Sequence, residues 1–424
     1  MPARPLRRVV AVLACSACLL LLPQAASSLP TRRDWSAGEA GSGPPGWNAE
    51  GAAGSADRAP GSTGVRWSDV PNSVWARTAI DYVGATNDWM RDWSADADGT
   101  YAFRPDRLES RRLFARALVL AFGEGLQQDA SLSFPDLPSS DRFYPFANVA
   151  VTAGWLQVGD GGSFRPNDAV TTREAHRALV LAIGFGDLAA GADALHLRDG
   201  TPIETPKDFG TLLIGMRIGL RYNHRDESLE VGPDDPLSRA EVAWSLFRAA
   251  TEPPWMHDSL SGYSTMTLPN LMPKMQRVVD FAVRYVGYPY IWGGEWNEAT
   301  SPGYCCGYQP VGGFDCSGFT WWVMKQAVSG WDNTPPRDYA GWDLPQRISA
   351  SMAAEGKRVR WNDKRPGDLL FYDGNDDGRV DHVDTYIGGD WAIDSGGSNA
   401  GVTITWVSGN WYEDHFVRAR RVIG

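Results

Sequence analysis

The spacing of apolar residues predicts helices in the first part of the chain and strands near its end. The run Arg112 to Phe122 and the run 278–286 place apolar side chains three or four positions apart, as an amphipathic helix requires. Between residues 368 and 394, three short runs rich in β-branched and aromatic residues predict strands. The Gly388-Gly389 pair separates the last two runs and predicts a turn between antiparallel strands.

The N-terminus has the pattern of a secretory signal. Three arginines precede an apolar run over residues 9–22, and small residues follow it. This run is shorter than the about 20 residues that a spanning helix needs. We therefore predict a signal peptide over 1–28, and a second apolar run that could span a membrane is absent from the sequence. Residues 29–65 are rich in Gly, Ala, Ser and Pro, which predicts a disordered tether.

Composition narrows the class of protein. The chain has 424 residues, of which 43% are hydrophobic and 21% charged, as in globular proteins. Its formal net charge of -11 argues against a nucleic-acid partner. Once the predicted signal is removed, the cysteines left are Cys305, Cys306 and Cys316. That set is too small for a disulfide scaffold, and its odd number leaves a thiol unpaired within the chain.

Residues 66–250 contain a degenerate internal repeat, with units at about 66–123, 134–184 and 196–250. Each unit has a helix, a Gly-rich or polar turn, a short extended piece containing proline, and a Ser or Thr that begins a second helix. Ser238 and Glu241 form a capping box at one such start, and we expect the intervening Arg239 to face outward. The motifs that repeat are Trp67-Ser68-Asp69-Val70, Phe134-Pro135-Asp136-Leu137, Phe103-Arg104-Pro105-Asp106, Phe164-Arg165-Pro166-Asn167 and Ser238-Arg239-Ala240-Glu241.

These motifs resemble the S-layer homology (SLH) family. The resemblance implies a helical module of three repeats with pseudo-threefold symmetry that binds cell-wall polymers without covalent attachment. The alternative interpretation is a degenerate helical spacer. A proline-broken connector over 251–274 separates the repeats from a second domain, which we place at 275–424.

The second domain carries a candidate nucleophile. Asp315 immediately precedes an apolar run and is a good helix N-cap, so Cys316 is expected at a helix N-terminus, where partial positive charge favours a thiolate. Its base must be a histidine of the same domain. His382 lies on a predicted strand, and Asp394 on the next strand is expected across from it, where it would orient the imidazole. His415 is interpreted as a surface residue.

The order of motifs in this domain strongly resembles the NlpC/P60 cysteine peptidases. The motifs are Pro289-Tyr290-Ile291-Trp292-Gly293-Gly294, Phe314-Asp315-Cys316-Ser317-Gly318-Phe319, Pro366-Gly367-Asp368-Leu369-Leu370-Phe371 and His382-Val383 with Tyr386-Ile387-Gly388. The resemblance implies a papain-like α+β fold with an antiparallel sheet. It also implies hydrolysis of peptidoglycan stem peptides, typically between γ-D-Glu and a diamino acid, without a cofactor.

The same resemblance assigns roles to residues. Cys316 is the nucleophile, His382 the base and Asp394 the third catalytic residue, where the family often has His, Asn or Gln. Tyr290, Asp315 and Ser317 match positions that help to hold the free amine of the substrate in some members.

Two features depart from the family pattern. The insertion at 295–312 contains Cys305-Cys306, and a bond from either cysteine to Cys316 would inactivate the enzyme until it is reduced; a local loop feature is the alternative. The second departure is a run of acidic residues that fits a calcium loop, with a polar hairpin turn as the alternative. Its candidate ligands are Asp373, Asn375, Asp377, Asp381 and Asp384.

The sequence as a whole predicts a secreted, cell-wall-associated peptidoglycan endopeptidase with an SLH-like anchor. Its partners would be stem peptides and a wall polymer. Two alternatives stay open: a wall-binding structural protein with an inactive hydrolase domain, and an amidase or acyltransferase on the same scaffold.

Overall fold

The computed structural model describes residues 64–300, 309–329, 344–397 and 400–423. The predicted signal peptide, the tether up to residue 63 and the pair Cys305-Cys306 lie outside the described residues. Within the described ranges, no helix is both long and apolar enough to cross a membrane.

Helices dominate the chain up to residue 282. They are α1 (Arg77–Ile80), α2 (Arg111–Phe122), α3 (Tyr144–Thr152), α4 (Thr172–Ala182), α5 (Gly186–Asp193), α6 (Phe209–Arg217), α7 (Arg239–Ala250), α8 (Met256–Ser259) and α9 (Pro273–Ala282). Two short strands, β1 (His196–Leu197) and β2 (Thr267–Leu268), pair in parallel. The helices predicted at 112–122 and 278–286 are confirmed, the second as α9 followed by a single 3₁₀ turn. Gly287 follows that turn with a φ of +92°, which glycine adopts without strain.

Two aspartates explain the motif that begins the first and second repeat units. The carboxylate of Asp69 accepts hydrogen bonds from the backbone N–H groups of Phe103 and Arg104, at 2.8 and 2.7 Å. Asp136 makes the same pair of bonds in the second unit, at the same two distances. Arg104 has a φ of +61°, which is unfavourable for a residue other than glycine. The two hydrogen bonds to Asp69 therefore stabilise a turn with a strained backbone at Arg104.

Arg239, at the start of α7, is fully buried, so the expectation that it faces outward is wrong. Its guanidinium donates to the backbone oxygens of Phe103 and Met90, both at 2.8 Å, and pairs with Glu109 at 2.6 Å. Because these partners belong to the first unit, the arginine ties the third unit to the first. The capping box of Ser238 with Glu241 is confirmed.

Two further arginines complete a ring of contacts: Arg111 is the first residue of its helix, as Arg239 is, and Arg173 is the second residue of α4. Arg111 of the first unit donates to the backbone oxygen of Phe164 in the second unit, at 2.8 Å. Arg173 of the second unit pairs with Asp234 of the third, at 2.6 Å. With Arg239, these contacts join first to second, second to third, and third to first unit.

The C-terminal part is built on a six-stranded antiparallel sheet with strand order β5-β10-β6-β7-β8-β9. Its strands are β5 (Lys357–Val359), β6 (Asp368–Tyr372), β7 (His382–Gly388), β8 (Trp391–Gly396), β9 (Gly401–Trp406) and β10 (Phe416–Arg421). A separate pair is formed by β3 (Glu295–Trp296) and β4 (Gly313–Phe314). The helices are α10 (Cys316–Ser329), α11 (Ser349–Met352) and α12 (Trp411–Asp414). The three predicted strands and the hairpin are confirmed.

Alternation along the strands gives the sheet two different faces. Side chains such as Phe371, Val383 and Ile393 belong to the large core that also contains residues of α9 and α10. Side chains such as Tyr372 and Ala392 belong to a smaller cluster that Tyr412 of α12 covers. Since the period of a strand is two, His382 and Asp384 lie on this second face.

The repeat module and the sheet domain pack against each other, and the chain is multidomain. The predicted connector is buried at several positions, including Leu260, Met266 and Leu268. Tyr263 donates from its hydroxyl to the backbone oxygen of Ile404 on the edge strand β9, at 2.6 Å. One continuous apolar core therefore includes residues of both parts.

Candidate active site

Cys316 is the first residue of α10, as the sequence predicts, and its side chain is buried. The carboxylate of Asp315 accepts the backbone N–H of Gly318 at 2.5 Å, which is the predicted N-cap bond. The Cys316 thiol points toward the backbone oxygen of Asp381, at 4.0 Å. Gly318 is needed for close packing here, because an added Cβ would lie 2.0 Å from the backbone oxygen of Gly294.

His382 lies between two buried carboxylates. Its Nε2 atom is 2.7 Å from Oδ1 of Asp384 and 3.1 Å from Oδ2 of Asp394. One N–H bond cannot point at two carboxylates, so these contacts are best described as ion pairs of an imidazolium. The Cys316 side chain is among the groups that raise the pKa of His382, so the structure brings Cys316, His382 and Asp394 together.

The strand register places the two carboxylates directly opposite each other. Thr385 pairs with Ile393 and Tyr386 with Ala392 in the β7–β8 ladder, and one further step sets Asp384 against Asp394. The expectation that Asp394 lies across from His382 is therefore wrong by two residues. Asp394 reaches the imidazole along the diagonal, which remains within side-chain reach.

Burial and charge act in opposite directions on the imidazole. Burial lowers the pKa of His382, but the charge of Asp384 and the bonds to its neighbours outweigh burial and hold that pKa well above its usual value. Burial, followed by repulsion from Asp394, raises the pKa of Asp384 to about 6. At neutral pH the cluster therefore contains an imidazolium facing carboxylates, which is the charge state that supports a thiolate nearby.

A buried arginine organises the residues beside the nucleophile. Arg347 donates to both carboxylate oxygens of Asp315, at 3.0 and 2.9 Å, and to the Ser317 hydroxyl at 2.8 Å. On its other side it pairs with the buried Glu295 at 3.0 Å. Tyr290, the third predicted substrate residue, is buried on the strand-like segment that bridges to Phe314.

Comparison with known proteins identifies the family. The NlpC/P60 family model matches residues 287–421, and the S-layer homology domain model matches residues 133–175. Peptidoglycan endopeptidase RipB of Mycobacterium tuberculosis is 30% identical over 268 residues, which are 62% of this chain and 91% of that relative. The chain belongs to the NlpC/P60 family.

The matches to other similar proteins extend over a smaller part of each relative. Gamma-D-glutamyl-L-lysine dipeptidyl-peptidase of Bacillus subtilis is 28% identical over 34% of this chain and 40% of that protein. The solved structure of RipB from M. tuberculosis is 27% identical and covers 36% of this chain and 65% of that one, with a TM-score of 0.27. The chain spans between 21% and 48% of the length of the first three curated relatives that it matches.

Three residues of the NlpC/P60 site were missed by sequence reasoning: Asp384, Glu295 and Arg347. Alternation along the predicted strand places Asp384 on the same face as His382, which conflicts with its interpretation as a calcium ligand, but the sequence does not assign it a role beside the imidazole. Arg347 lies 32 positions from Asp315, so no local motif marks it. His415 is half-buried and stacks on Trp411, so it is less exposed than predicted.

The predicted calcium loop does not contain Asp384. Because β7 begins at His382, the Asp384 carboxylate is buried in the NlpC/P60 site, and its prediction as a calcium ligand is wrong. The remaining side chains accept backbone hydrogen bonds within the loop: Asp377 N–H bonds to Asp373 and Asn375, and Gly374 N–H bonds to Asp381. Calcium binding by the loop stays a prediction, with one candidate ligand removed.

Within the described residues, one cluster has the spacing of a metal site, and it is the cluster of His382 with its two carboxylates. Ligand atoms of His382, Asp384 and Asp394 lie within 4.8 Å of one another. An imidazolium at His382 supplies the positive charge that these carboxylates face, at 2.7 and 3.1 Å. The arrangement therefore fits acid–base chemistry with a thiol.

Proposed function

We propose that this protein is a cell-wall-associated peptidoglycan endopeptidase that hydrolyses stem peptides between γ-D-Glu and the following diamino acid. One observation carries the proposal: Cys316 begins a helix and acts on the nearby His382, whose imidazole is paired with buried carboxylates. The relative RipB is named a peptidoglycan endopeptidase, and the B. subtilis relative is named for a γ-D-glutamyl-L-lysine bond.

The geometry supports a two-step mechanism through an acyl-enzyme. The Cys316 thiolate attacks the amide carbonyl carbon, and the backbone N–H of Cys316 donates to the developing oxyanion. The imidazolium of His382 gives its proton to the leaving amine as the C–N bond breaks. Neutral His382 then takes a proton from water, and the hydroxide displaces the thiolate from the acyl carbon.

The carboxylates stabilise the charged imidazole in both steps. Asp384 and Asp394 face Nε2, so their negative charge favours every step in which His382 becomes protonated. Because both are buried, solvent screens this interaction only weakly. We assign the third catalytic role to both carboxylates, in place of Asp394 alone.

The substrate's free amine is proposed to bind beside Tyr290 and Ser317. Asp315, the charged member of the predicted set, is paired with Arg347 on both of its oxygens. Its charge is therefore shared with an arginine, and we propose that it shapes the pocket through Ser317, which donates to it at 3.0 Å.

The repeats are proposed to anchor the enzyme to a wall polymer. The ring of arginine contacts that joins the three units supports a closed three-repeat module, and the SLH model matches its second unit. Weak anchoring would raise the effective concentration of the hydrolase at an insoluble substrate. Secretion through a signal at 1–28 belongs to the same proposal.

The decisive experiment compares the protein lacking residues 1–28 with its Cys316→Ala variant. Each is incubated under reducing conditions with purified peptidoglycan and with free stem peptides, and products are read by mass spectrometry. Fragments ending in γ-D-Glu from the parent alone are the expected result. Peptidoglycan binding without fragments from either protein would favour the wall-binding alternative, and transfer of the acyl group to an added amine would favour the acyltransferase.

A further inference from the structure

The repeat module contributes a cation to the domain that carries the catalytic site. Arg217 is the last residue of α6, and its Nη1 atom donates to the Thr405 hydroxyl on β9 at 3.0 Å. The Nε atom of Arg217 is buried in this contact. An arginine of the module therefore enters the edge of the catalytic sheet.

Neighbouring contacts fix this part of the module on the sheet domain. The Asn223 side chain donates to the backbone oxygen of Gly397 at 3.0 Å, just after β8. The backbone N–H of Trp292 donates to Glu227 at 2.7 Å, in the loop that precedes β3. Because Asn223 and Glu227 both follow Arg217 closely in the chain and both contact the sheet domain, the position of Arg217 is set by a docked surface and not by one side chain.

The register shows that Arg217 reaches the face of the sheet that holds the carboxylates. Asp394 pairs directly with Thr403 in the β8–β9 ladder, so the two side chains share a face. Thr405 lies two residues further along β9 and hence on that same face. Thr405, which accepts the hydrogen bond from Arg217, is therefore the diagonal neighbour of Asp394 on the adjacent strand.

The Asp394 carboxylate is among the charged groups that act on Arg217. Burial lowers the pKa of Arg217, but the neighbouring hydroxyls of Tyr263 and Tyr412 and the Asp394 carboxylate outweigh burial and raise it. The other titratable groups on the described elements around this cluster are His382 and Asp384 of β7, Tyr372 of β6 and Cys316 of α10. Arg217 therefore adds a positive charge near a cluster in which one imidazolium balances only one of two carboxylates.

We propose that Arg217 is a positioning residue for hydrolysis: its positive charge, carried by the repeat module to Thr405 on the face of the sheet that holds Asp394, attracts the Asp394 carboxylate and keeps it beside His382, so that the docked module completes the catalytic site. This inference rests on the proposed function. It predicts that the module acts in the chemical step as well as in attachment to the wall.

The test uses the full chain lacking residues 1–28 with Arg217→Met, Arg217→Lys and a matched control, Arg177→Met. Arg177 also lies in the module, but it bonds to backbone oxygens of Gly154 and Trp155 within the module. On soluble stem peptides, Arg217→Met should lower kcat by about tenfold or more with KM within about twofold, as expected for a lost charge acting through a catalytic group. Arg217→Lys should recover most of the loss, and Arg177→Met should match the parent.

A second readout does not need turnover. The rate at which iodoacetamide alkylates Cys316, mapped by peptide mass spectrometry, should fall in Arg217→Met and recover in Arg217→Lys. Thr405→Val, which removes the acceptor and keeps the shape, should give a smaller loss in the same direction. An inactive parent would defeat the proposed function, whereas an active parent equal to Arg217→Met would overturn this inference alone. Equal losses in the Lys and Met variants with matching falls in Tm would also overturn it, by showing a packing role.

Discussion

Asp384 lies directly opposite Asp394 on neighbouring strands, and both carboxylates lie within 3.1 Å of the same nitrogen of His382. Two buried carboxylates that share one neighbour in this way repel each other, and a cation between them offsets the repulsion. The imidazolium supplies that cation, and burial, followed by repulsion from Asp394, raises the pKa of Asp384 to about 6. The pair makes the charge state of the site depend on both aspartates.

The first prediction is that the two aspartates substitute for each other in part. Asp384→Asn and Asp394→Asn should each lower kcat by about tenfold, because one carboxylate still faces His382. The double variant should lose about a thousandfold, more than the product of the single losses, because the imidazolium then has no charged partner. Steady-state kinetics on one stem peptide checks this. A single Asp394→Asn loss as large as that of the double variant would show that Asp384 takes no part.

The second prediction concerns stability against pH. The pKa of Asp384 is raised to about 6 from about 3.9 in an unfolded chain, so its contribution to stability is full below about pH 4 and is lost as pH rises through 6. Ionising this carboxyl should cost about 3 kcal/mol by pH 8, as an upper bound. The parent should therefore lose more stability than Asp384→Asn between pH 5 and pH 8.

Urea unfolding of both proteins at several pH values measures that difference. Burial also raises the pKa of Glu109 to about 7, but this group is present in both proteins and cancels in the comparison. Parallel curves for the parent and Asp384→Asn would contradict the assignment of the raised pKa to Asp384.

Local sequence patterns predicted the helix and strands that carry the site. They did not predict the arginines that reach the site through long-range contacts. Cys316 at a helix start and the β7–β8 hairpin follow from N-cap, turn and alternation rules, which act over a few residues. Arg347 and Arg217 could not be predicted, because their partners lie 32 and 188 positions away. Asp384 is the intermediate case: alternation placed it beside His382, but its match to a calcium loop offered a competing interpretation.

The third prediction tests the buried network around Arg347. Arg347→Met leaves the carboxylates of Asp315 and Glu295 buried without their cation, which should cost about 3–5 kcal/mol of unfolding free energy. Arg347→Lys should recover only part, since lysine cannot donate to both oxygens in a fork. The exposed Arg358→Met should change stability by less than about 0.5 kcal/mol. Equal stability of the Arg347 and Arg358 variants would rule out a structural role for the network.

The fourth prediction concerns calcium. Asp384, at the twelfth position of the loop, is paired with His382. In calcium loops of this type the acidic residue at that position supplies two oxygens. The candidate ligands that remain are Asp373, Asn375, Asp377 and Asp381. Millimolar calcium and its removal by chelator should therefore leave both Tm and stem-peptide hydrolysis unchanged. A rise in Tm with calcium that is lost in Asp373→Asn would instead establish the loop as a calcium site.

The fifth prediction compares two arginines near helix starts in different repeats: Arg239 is the first residue of α7, and Arg173 is the second residue of α4. Arg239 is fully buried against Glu109, whereas Arg173 pairs with Asp234, which is mostly exposed. Arg239→Ala should cost about 3–5 kcal/mol, because it leaves a buried carboxylate without its cation. Arg173→Ala should cost less than about 1 kcal/mol, as is usual for a solvent-screened pair. Urea unfolding measures both, and comparable losses would mean that Arg239 stabilises the ring by packing instead of by charge. Since Arg239 joins the third unit to the first, its loss should also open the ring while Arg173→Ala leaves proteolytic resistance of the module unchanged.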